Sequence, residues 1–266
     1  MKTALITGVA GGMGSAAAKL LRRRGWRVAG LDVRRPEDAG EIFFLQTDLT
    51  DPKAIGKASE GCRKAGLRFD AIVHMAGIYD MNSLLEMPEE DFLRIWNVNL
   101  FAAWRVTKAF YPLLRKGGRV VFTTSELAPL DPLPFTGIYG ITKTAVEKLA
   151  SSLRMELWLS GHPVTVIRPG AVDTGLLGDS ERSLEKFVKE TKLYPVNAEN
   201  FRRIVNRVES KRIPPERIAE ILYEALSAAR PRYVYAVNRN PGLLLLDLLP
   251  ARWQTGIVGM LLKKRK

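Results

Sequence analysis

Short apolar runs alternate with longer amphipathic stretches along this chain. TALITG (3–8), RVAGLDV (27–33), IFFLQTD (42–48), AIVHMAG (71–77), RVVFTTS (119–125), VTVIRPG (164–170) and YVYAVN (233–238) have the length and the β-rich apolar content of strands. The intervening stretches 12–24, 52–65, 89–115, 138–160 and 214–229 carry helical patterns. Strands joined by crossover helices predict an α/β fold, a doubly wound and mainly seven-stranded parallel sheet covered by helices. No repeat, low-complexity tract or linker divides the chain, so residues 1–266 read as a single domain. Two stretches break the rhythm. Residues 175–212 are polar and rich in Lys, Glu, Asn and Arg, and a long insertion of that kind is expected to be a substrate loop or lid. Residues 241–266 form an apolar tail, GLLLLDLLP and GIVGMLL, ending in KKRK. These runs are too short to span a bilayer. They are expected to pack over the substrate cleft, on the domain or on a neighbouring subunit; the other reading is an apolar patch lying at an anionic lipid surface.

Length and composition narrow the classes. With 266 residues, 46% hydrophobic and 26% charged, there is enough chain for a sizeable core in an ordinary globular protein. A single cysteine, Cys62, rules out an internal disulfide, and two histidines, His74 and His162, without zinc-ligand spacing argue against a metal site. Met1 and Lys2 lead straight into the first apolar run, with no signal segment visible and no stretch near the 18 or so apolar residues of a membrane span. A cytoplasmic protein is expected, with peripheral membrane contact through the tail as its one link to lipid. The net charge of +13 reads first as a solvated surface, since no aromatic-interleaved basic patch or zinc-finger spacing points to nucleic acid.

The chemistry begins at TGVAGGMG, Thr7 to Gly14, between the first strand and the first helix. Glycines at 8, 12 and 14 permit a tight turn and a close backbone approach to a pyrophosphate, with the helix that follows offering free amides and a positive dipole end. Asp32, 18 residues beyond Gly14, closes the second strand. A carboxylate there can accept from the hydroxyls of an adenosine ribose and repels a 2′-phosphate, favouring NAD over NADP; Arg34 and Arg35 argue mildly for NADP. Further along stands YGITK, Tyr139 to Lys143. On a helix this spacing stacks phenol and ammonium on one face, and the cation is expected to lower the phenol pKa.

Taken in order, the motifs resemble the short-chain dehydrogenase/reductase family over nearly the whole chain. T-G-x-x-x-G-x-G stands at Thr7–Gly14, Asp-Leu at Asp48–Leu49, HMAG at His74–Gly77 in place of N-N-A-G, and NVN at Asn97–Asn99. Ser125 ends the fifth strand, Y-x-x-x-K follows, and RPGAVDTG supplies P-G-x-x-x-T ending at Thr174. The resemblance implies a Rossmann fold and four catalytic residues: Tyr139 as general acid or base, Ser125 holding the substrate oxygen, Lys143 binding the nicotinamide ribose, and Asn99 positioning a proton-relay water. It also implies cofactor contacts from Gly8, Gly11, Gly12, Met13, Gly14 and Asp32 in the first βαβ unit and from Asp48 and Leu49 at the adenine. Ala76, Gly77, Asn99, Tyr139 and Lys143 would follow, then Pro169, Gly170, Val172 and Thr174 at the nicotinamide end. His74 departs from the family pattern and is expected to be a satisfied polar residue at a strand end, with Met75 as packing.

The ending of the chain is similar to the branch containing 17β-hydroxysteroid and retinol dehydrogenases. That resemblance implies interconversion of a secondary alcohol and a ketone on a lipophilic, steroid-, retinoid- or other lipid-like skeleton; Asp32 makes NAD the expected dinucleotide, and membership of the family implies a homo-oligomer built through helices 89–115 and 138–160. The alternatives are an NADPH-dependent reductase of smaller or 3-oxoacyl-type carbonyls and, less favoured, a non-catalytic dinucleotide-binding protein.

Overall fold

The computed structural model describes residues 1–209 and 211–263, apart from the side chains at 176, 177, 179, 180, 208 and 209. Seven strands form one sheet: β1 (Thr3–Thr7), β2 (Arg27–Asp32), β3 (Phe43–Gln46), β4 (Phe69–His74), β5 (Leu114–Thr123), β6 (Val164–Pro169) and β7 (Val234–Val237). Every pairing is parallel, in the order β3-β2-β1-β4-β5-β6-β7. All five residues of β1 are buried, as a strand covered on both faces requires, which is why it reads as a continuous apolar run. The chain reverses its direction of travel across the sheet between β1 and β4, and the crevice at their carboxyl ends is where an open α/β sheet takes a ligand.

The helices are α1 (Gly12–Arg23), α2 (Pro52–Lys64), α3 (Glu89–Trp96), α4 (Ala102–Phe110), α5 (Gly137–Trp158), α6 (Gly175–Glu190), α7 (Pro195–Glu209), α8 (Pro215–Ser227), α9 (Pro241–Asp247) and α10 (Ala251–Leu262). Ala17, Ala18 and Leu21 of α1 and Ile218 and Leu222 of α8 pack on one face of the sheet, beneath Ile6, Val28 and Val73. Ile55 of α2, Val106 and Phe110 of α4 and Val146 and Ala150 of α5 pack on the other, against Leu5, Ile72 and Phe122. Cys62 is buried in this second layer, where burial pushes its thiol up to about 11 and keeps it from reacting.

The structure adds to the sequence expectation in three places. The helix expected over 89–115 is broken: a π-helical turn at Asn97–Phe101 separates α3 from α4, and a 3-10 turn at Tyr111–Leu113 ends the helix before β5 starts at Leu114. Pro112 accounts for that end, since it donates no backbone hydrogen bond and its ring blocks the preceding turn. The polar segment 175–212, expected as a substrate loop or lid, contains α6 and α7. Its few apolar residues fall at helical spacing: Leu184 and Phe187, then Ala198, Phe201 and Val205. With Met81, Phe135 and Leu262 they build a third core. The tail folds into α9 and α10.

The tail is packed on one side only. Asn240 caps α9 by accepting from the Gly242 N–H, and the Asn197 and Asn200 side chains on α7 donate to the Leu262 carbonyl at 2.8 and 3.2 Å. Leu262 is buried against α7. Outward, Leu248 is 80% exposed, Met260 72%, Leu245 66% and Trp253 63%. Of the terminal KKRK, Lys263 alone lies within the described residues. No helix among the described residues is long and apolar enough to cross a membrane.

Candidate active site

The turn after β1 is forced on glycine. Gly8 has φ +70°, and a Cβ there would meet the Ala76 backbone at 2.7 Å. At Gly14 a Cβ would stand 2.1 Å from the Gly8 carbonyl oxygen, so only a bare backbone lets α1 begin against this turn. Thr7 fixes the neighbouring strand end: its hydroxyl accepts from the N–H groups of Met75 and Ala76 at 3.2 and 3.3 Å. Gly11, Gly12 and Met13 complete the turn, with Thr174 against Gly12, where a Cβ would meet its side chain at 2.7 Å. The N-cap of α6 is thus beside the glycine turn.

Asp32, buried at the end of β2, receives the Ala10 N–H at 3.0 Å on one oxygen and the Arg34 N–H at 2.9 Å on the other. Its carboxylate therefore ties the glycine turn to the end of β2, a structural duty besides any contact with a ribose. The side chains of Arg34 and Arg35 point into solvent. Asp48 closes its own turn by accepting from the backbone and hydroxyl of Thr50, while the Leu49 side chain enters the core.

Ser125, Tyr139 and Lys143 meet at the carboxyl end of β5. Ser125 lies two residues past the strand and its hydroxyl accepts from the Leu127 N–H. The chain then passes through a proline-containing loop and turns into α5 at Phe135, whose φ of +64° is uncommon for a bulky side chain. Its burial among Phe187, Tyr194 and Phe201 holds it there. Tyr139 and Lys143 follow in α5, one turn apart. Both are buried, with the ammonium 5.6 Å from the phenol ring centroid and donating to the Thr123 carbonyl at 3.2 Å. One turn further, Glu147 pairs with Arg168 on β6 and anchors the helix to the sheet.

Burial overrules the expected lowering of the phenol. It pushes Tyr139 up to about 12, against a lowering by hydrogen bonding with Ser125 and with a further rise from the Glu126 charge. Burial likewise pulls Lys143 down to about 8. The Tyr–Lys spacing correctly places the two groups together, but desolvation of each outweighs the attraction that spacing alone suggests.

Asn99 sits in the π-helical turn. Its side chain accepts from the Ile78 N–H at 2.8 Å and donates to the Ile78 carbonyl and the Thr142 hydroxyl at 3.0 and 3.1 Å. Both amide N–H groups are spent inside the protein, so they tie the 76–78 loop to α5 rather than donate to a water. The segment so held carries Ala76 and Gly77. His74 is a satisfied core residue: its Nε2 is 2.9 Å from the Thr107 hydroxyl and its ring stacks on Phe122. Burial takes it down to about 3, which keeps it neutral. Met75 packs in the α1 layer and also lines the cavity described next.

A cavity of about 200 Å³ opens at this point. Ser125, Tyr139 and Lys143 line it together with Gly77, Pro169, Gly170, Val172 and Thr174. Several wall residues escape a reading of the sequence. Phe201, Ile204 and Val205 come from α7 and Leu243 from α9, brought in only by the tertiary fold. Tyr79 lies with its ring 4.0 Å from that of Tyr139. Glu126 also lines the cavity; its adjacency to Ser125 was the available signal.

Comparison with known proteins agrees with this geometry. The family model described as short chain dehydrogenase matches residues 2–185. The chain belongs to the short-chain dehydrogenase/reductase family. An NADPH-dependent 3-dehydrocapnine reductase from Ornithobacterium rhinotracheale is 30% identical over 283 aligned positions, covering 99% of this chain and 98% of the relative. Mouse estradiol 17-beta-dehydrogenase 2 is 32% identical over 203 positions, covering 71% of this chain and 52% of the relative. Among solved structures, an alcohol dehydrogenase from Thermococcus sibiricus complexed with 5-hydroxy-NADP superposes with a TM-score of 0.72 at 26% identity, over 89% of this chain and 96% of that one. The protein is an NAD(P)-dependent oxidoreductase acting on CH–OH groups. The glycine turn fits such a dinucleotide: its bare backbone leaves the approach that a Cβ would fill, at the N-terminus of α1.

Proposed function

We propose that this enzyme interconverts a secondary alcohol and a ketone on a lipophilic skeleton, with NAD(H) as its dinucleotide. The observation that carries the reading is the cavity: a wall of Ser125, Tyr139 and Lys143 faces side chains that are mostly apolar, among them Met75, Met81, Leu133, Ile204 and Leu243. The bound nicotinamide supplies the hydride exchange at the carbinol carbon. The chain's own residues do the rest. Ser125 donates to the substrate oxygen, Tyr139 gives or takes the hydroxyl proton, and Lys143, its ammonium 5.6 Å from the phenol ring centroid, stabilises the phenolate left when that proton is given. Lys143 would also hold the nicotinamide ribose. Gly8, Gly11, Gly12, Met13 and Gly14 would hold the pyrophosphate, Asp48 and Leu49 the adenine, Ala76 and Gly77 the adjoining ribose, and Pro169, Gly170, Val172 and Thr174 the nicotinamide end. The likeness to a relative named for estradiol supports a bulky apolar substrate.

NAD is proposed because Asp32 is buried at the end of β2 as a carboxylate already fixed by two backbone N–H groups, a poor neighbour for a 2′-phosphate. A second reading, an NADPH-dependent carbonyl reductase, is favoured by the exposed Arg34 and Arg35 beside it and by the relative named as NADPH-dependent. Titrating NADH and NADPH by energy transfer from protein tryptophan separates the two. Tighter NADH, with discrimination relaxed in Asp32→Ser, supports the first; tighter NADPH, with Arg34→Ala weakening it, supports the second.

The enzyme is further proposed to work in the cytoplasm as a homo-oligomer. Phe101, Trp104 and Tyr111 around α4 and Met155 and Trp158 on α5 leave apolar surface exposed on the two helices expected to meet a second copy. Sedimentation velocity tests this, a monomer counting against it. The outer side of the tail, with Trp253 and Leu248 exposed and Arg239, Arg252 and Lys263 exposed along the same segment, is proposed to rest on an anionic lipid surface.

A further inference from the structure

Glu126 is an unexpected group in an apolar cavity. It follows Ser125 directly and is held there, since its N–H donates to the Pro169 carbonyl at 2.8 Å. One carboxylate oxygen receives the Asn240 N–H at 2.6 Å, at the start of α9. The other stands 3.0 Å from where a Cβ on Gly170 would lie, on the floor of the cavity. Among the described residues no cation comes within ion-pairing distance; the positive charge that acts on the carboxylate is Arg239, whose side chain is exposed. The carboxylate also works against the chemistry beside it. Its charge makes the Tyr139 phenolate harder to form, adding to the effect of burial. A group that is partly desolvated, unpaired and adverse to its neighbour calls for a positive charge from elsewhere.

We infer that Glu126 is a specificity-determining residue that binds a protonated amine carried by the substrate close to its reacting carbinol or carbonyl carbon. The inference deepens the proposed reading and rests on it: the substrate is then a lipophilic amino alcohol or amino ketone. Its ammonium pairs with the Glu126 oxygen that Asn240 leaves available, and its oxygen lies one residue away at Ser125. The cation removes the repulsion that a Tyr139 phenolate would meet. The apolar walls from α7 and α9 take the hydrocarbon part. The bond to Asn240 gives Glu126 a second duty, holding α9 at the rim of the cavity, and the test separates the two.

The experiment compares kcat/KM for 2-aminododecan-3-ol, its N-acetyl derivative and dodecan-3-ol with NAD and with NADP, in the native protein and in E126Q and E126D. Glutamine keeps a carbonyl oxygen for the Asn240 N–H and removes the charge. A charge-assisted contact predicts that the native protein favours the free amine over both neutral alcohols by about ten- to a hundredfold, mainly through KM. E126Q reduces that ratio to about threefold or less, and E126D retains most of it. The same ratio in E126Q as in the native protein, or a native preference for the neutral alcohols, overturns the inference while leaving the lipophilic-alcohol reading standing. Turnover of none of the three alcohols with either dinucleotide overturns that reading and the inference with it.

Discussion

Replacing Lys143 with Met removes the ammonium proposed to assist proton transfer and is expected to make the protein more stable. Lys143 is buried and its pKa falls from 10.5 to about 8 because burial penalises the charged form. That shift of 10.5 − 8 = 2.5 corresponds to about 3 kcal/mol carried against the fold at neutral pH. Methionine has a similar length and no charge to desolvate. Losing the hydrogen bond to the Thr123 carbonyl takes back about 1 kcal/mol, leaving a net gain of about 2 kcal/mol. The sign carries a pH dependence. Between pH 8 and 10.5 the unfolded chain keeps the lysine proton that the folded protein releases, so native stability rises with pH across that window. Lys143→Met lacks this slope, and its advantage therefore shrinks as the pH rises from 7 to 10. The Tyr139 phenol, raised to about 12, lowers stability with rising pH only above its ordinary value of 10 and is common to both proteins. Urea unfolding at pH 7, 8, 9 and 10 reads the effect. A variant about 2 kcal/mol less stable than the native protein at pH 7, or a difference that does not change up to pH 10, refutes the reasoning. In the same variant turnover should fall to background.

Three further outcomes are expected. Tyr139→Phe removes the proton that must move while keeping the ring against Tyr79; turnover should drop by at least about a thousandfold with dinucleotide affinity nearly unchanged, as read by stopped-flow assay and fluorescence titration. His74 is held neutral to about pH 3, so the fold loses stability as the pH falls below the ordinary histidine value of 6.5; His74→Asn should flatten the decline between pH 6.5 and 4 in thermal melts. Leu248→Glu with Trp253→Glu, both on exposed positions of the tail, should abolish co-sedimentation with vesicles containing phosphatidylserine while leaving the unfolding midpoint unchanged, and equal binding to neutral phosphatidylcholine vesicles would count against a role for charge.

The sequence determined everything that depends on local spacing. Strand runs flanked by turn residues are written along the chain, and so is their alternation with helices, which leads to a parallel sheet. The glycine turn is legible because a Cβ at Gly8 would meet the Ala76 backbone and one at Gly14 the Gly8 carbonyl, so both positions demand glycine. Ser125, Tyr139 and Lys143 are singled out by the resemblance of their motifs to the family, and the fold brings the three to one cavity. What escaped depends on contacts between residues far apart in the chain. The stripe Leu184, Phe187, Phe201 and Val205 is hidden in a polar composition until Met81, Phe135 and Leu262 arrive to cover it. The break at Asn97–Phe101 lies inside an unbroken helical pattern, where the ties from Asn99 to Ile78 and Thr142 are long-range. Proton affinities are the clearest case. Spacing sets Lys143 beside Tyr139 and suggests a lowered phenol, whereas the burial that raises the phenol and lowers the lysine is created only when α5, β5 and the 76–78 loop close together. The same closure gives Glu126 its meaning: along the chain it is one acidic residue among 28 Asp and Glu, and in the fold it is a carboxylate beside the Tyr139 phenol with no ion-pair partner among the described residues.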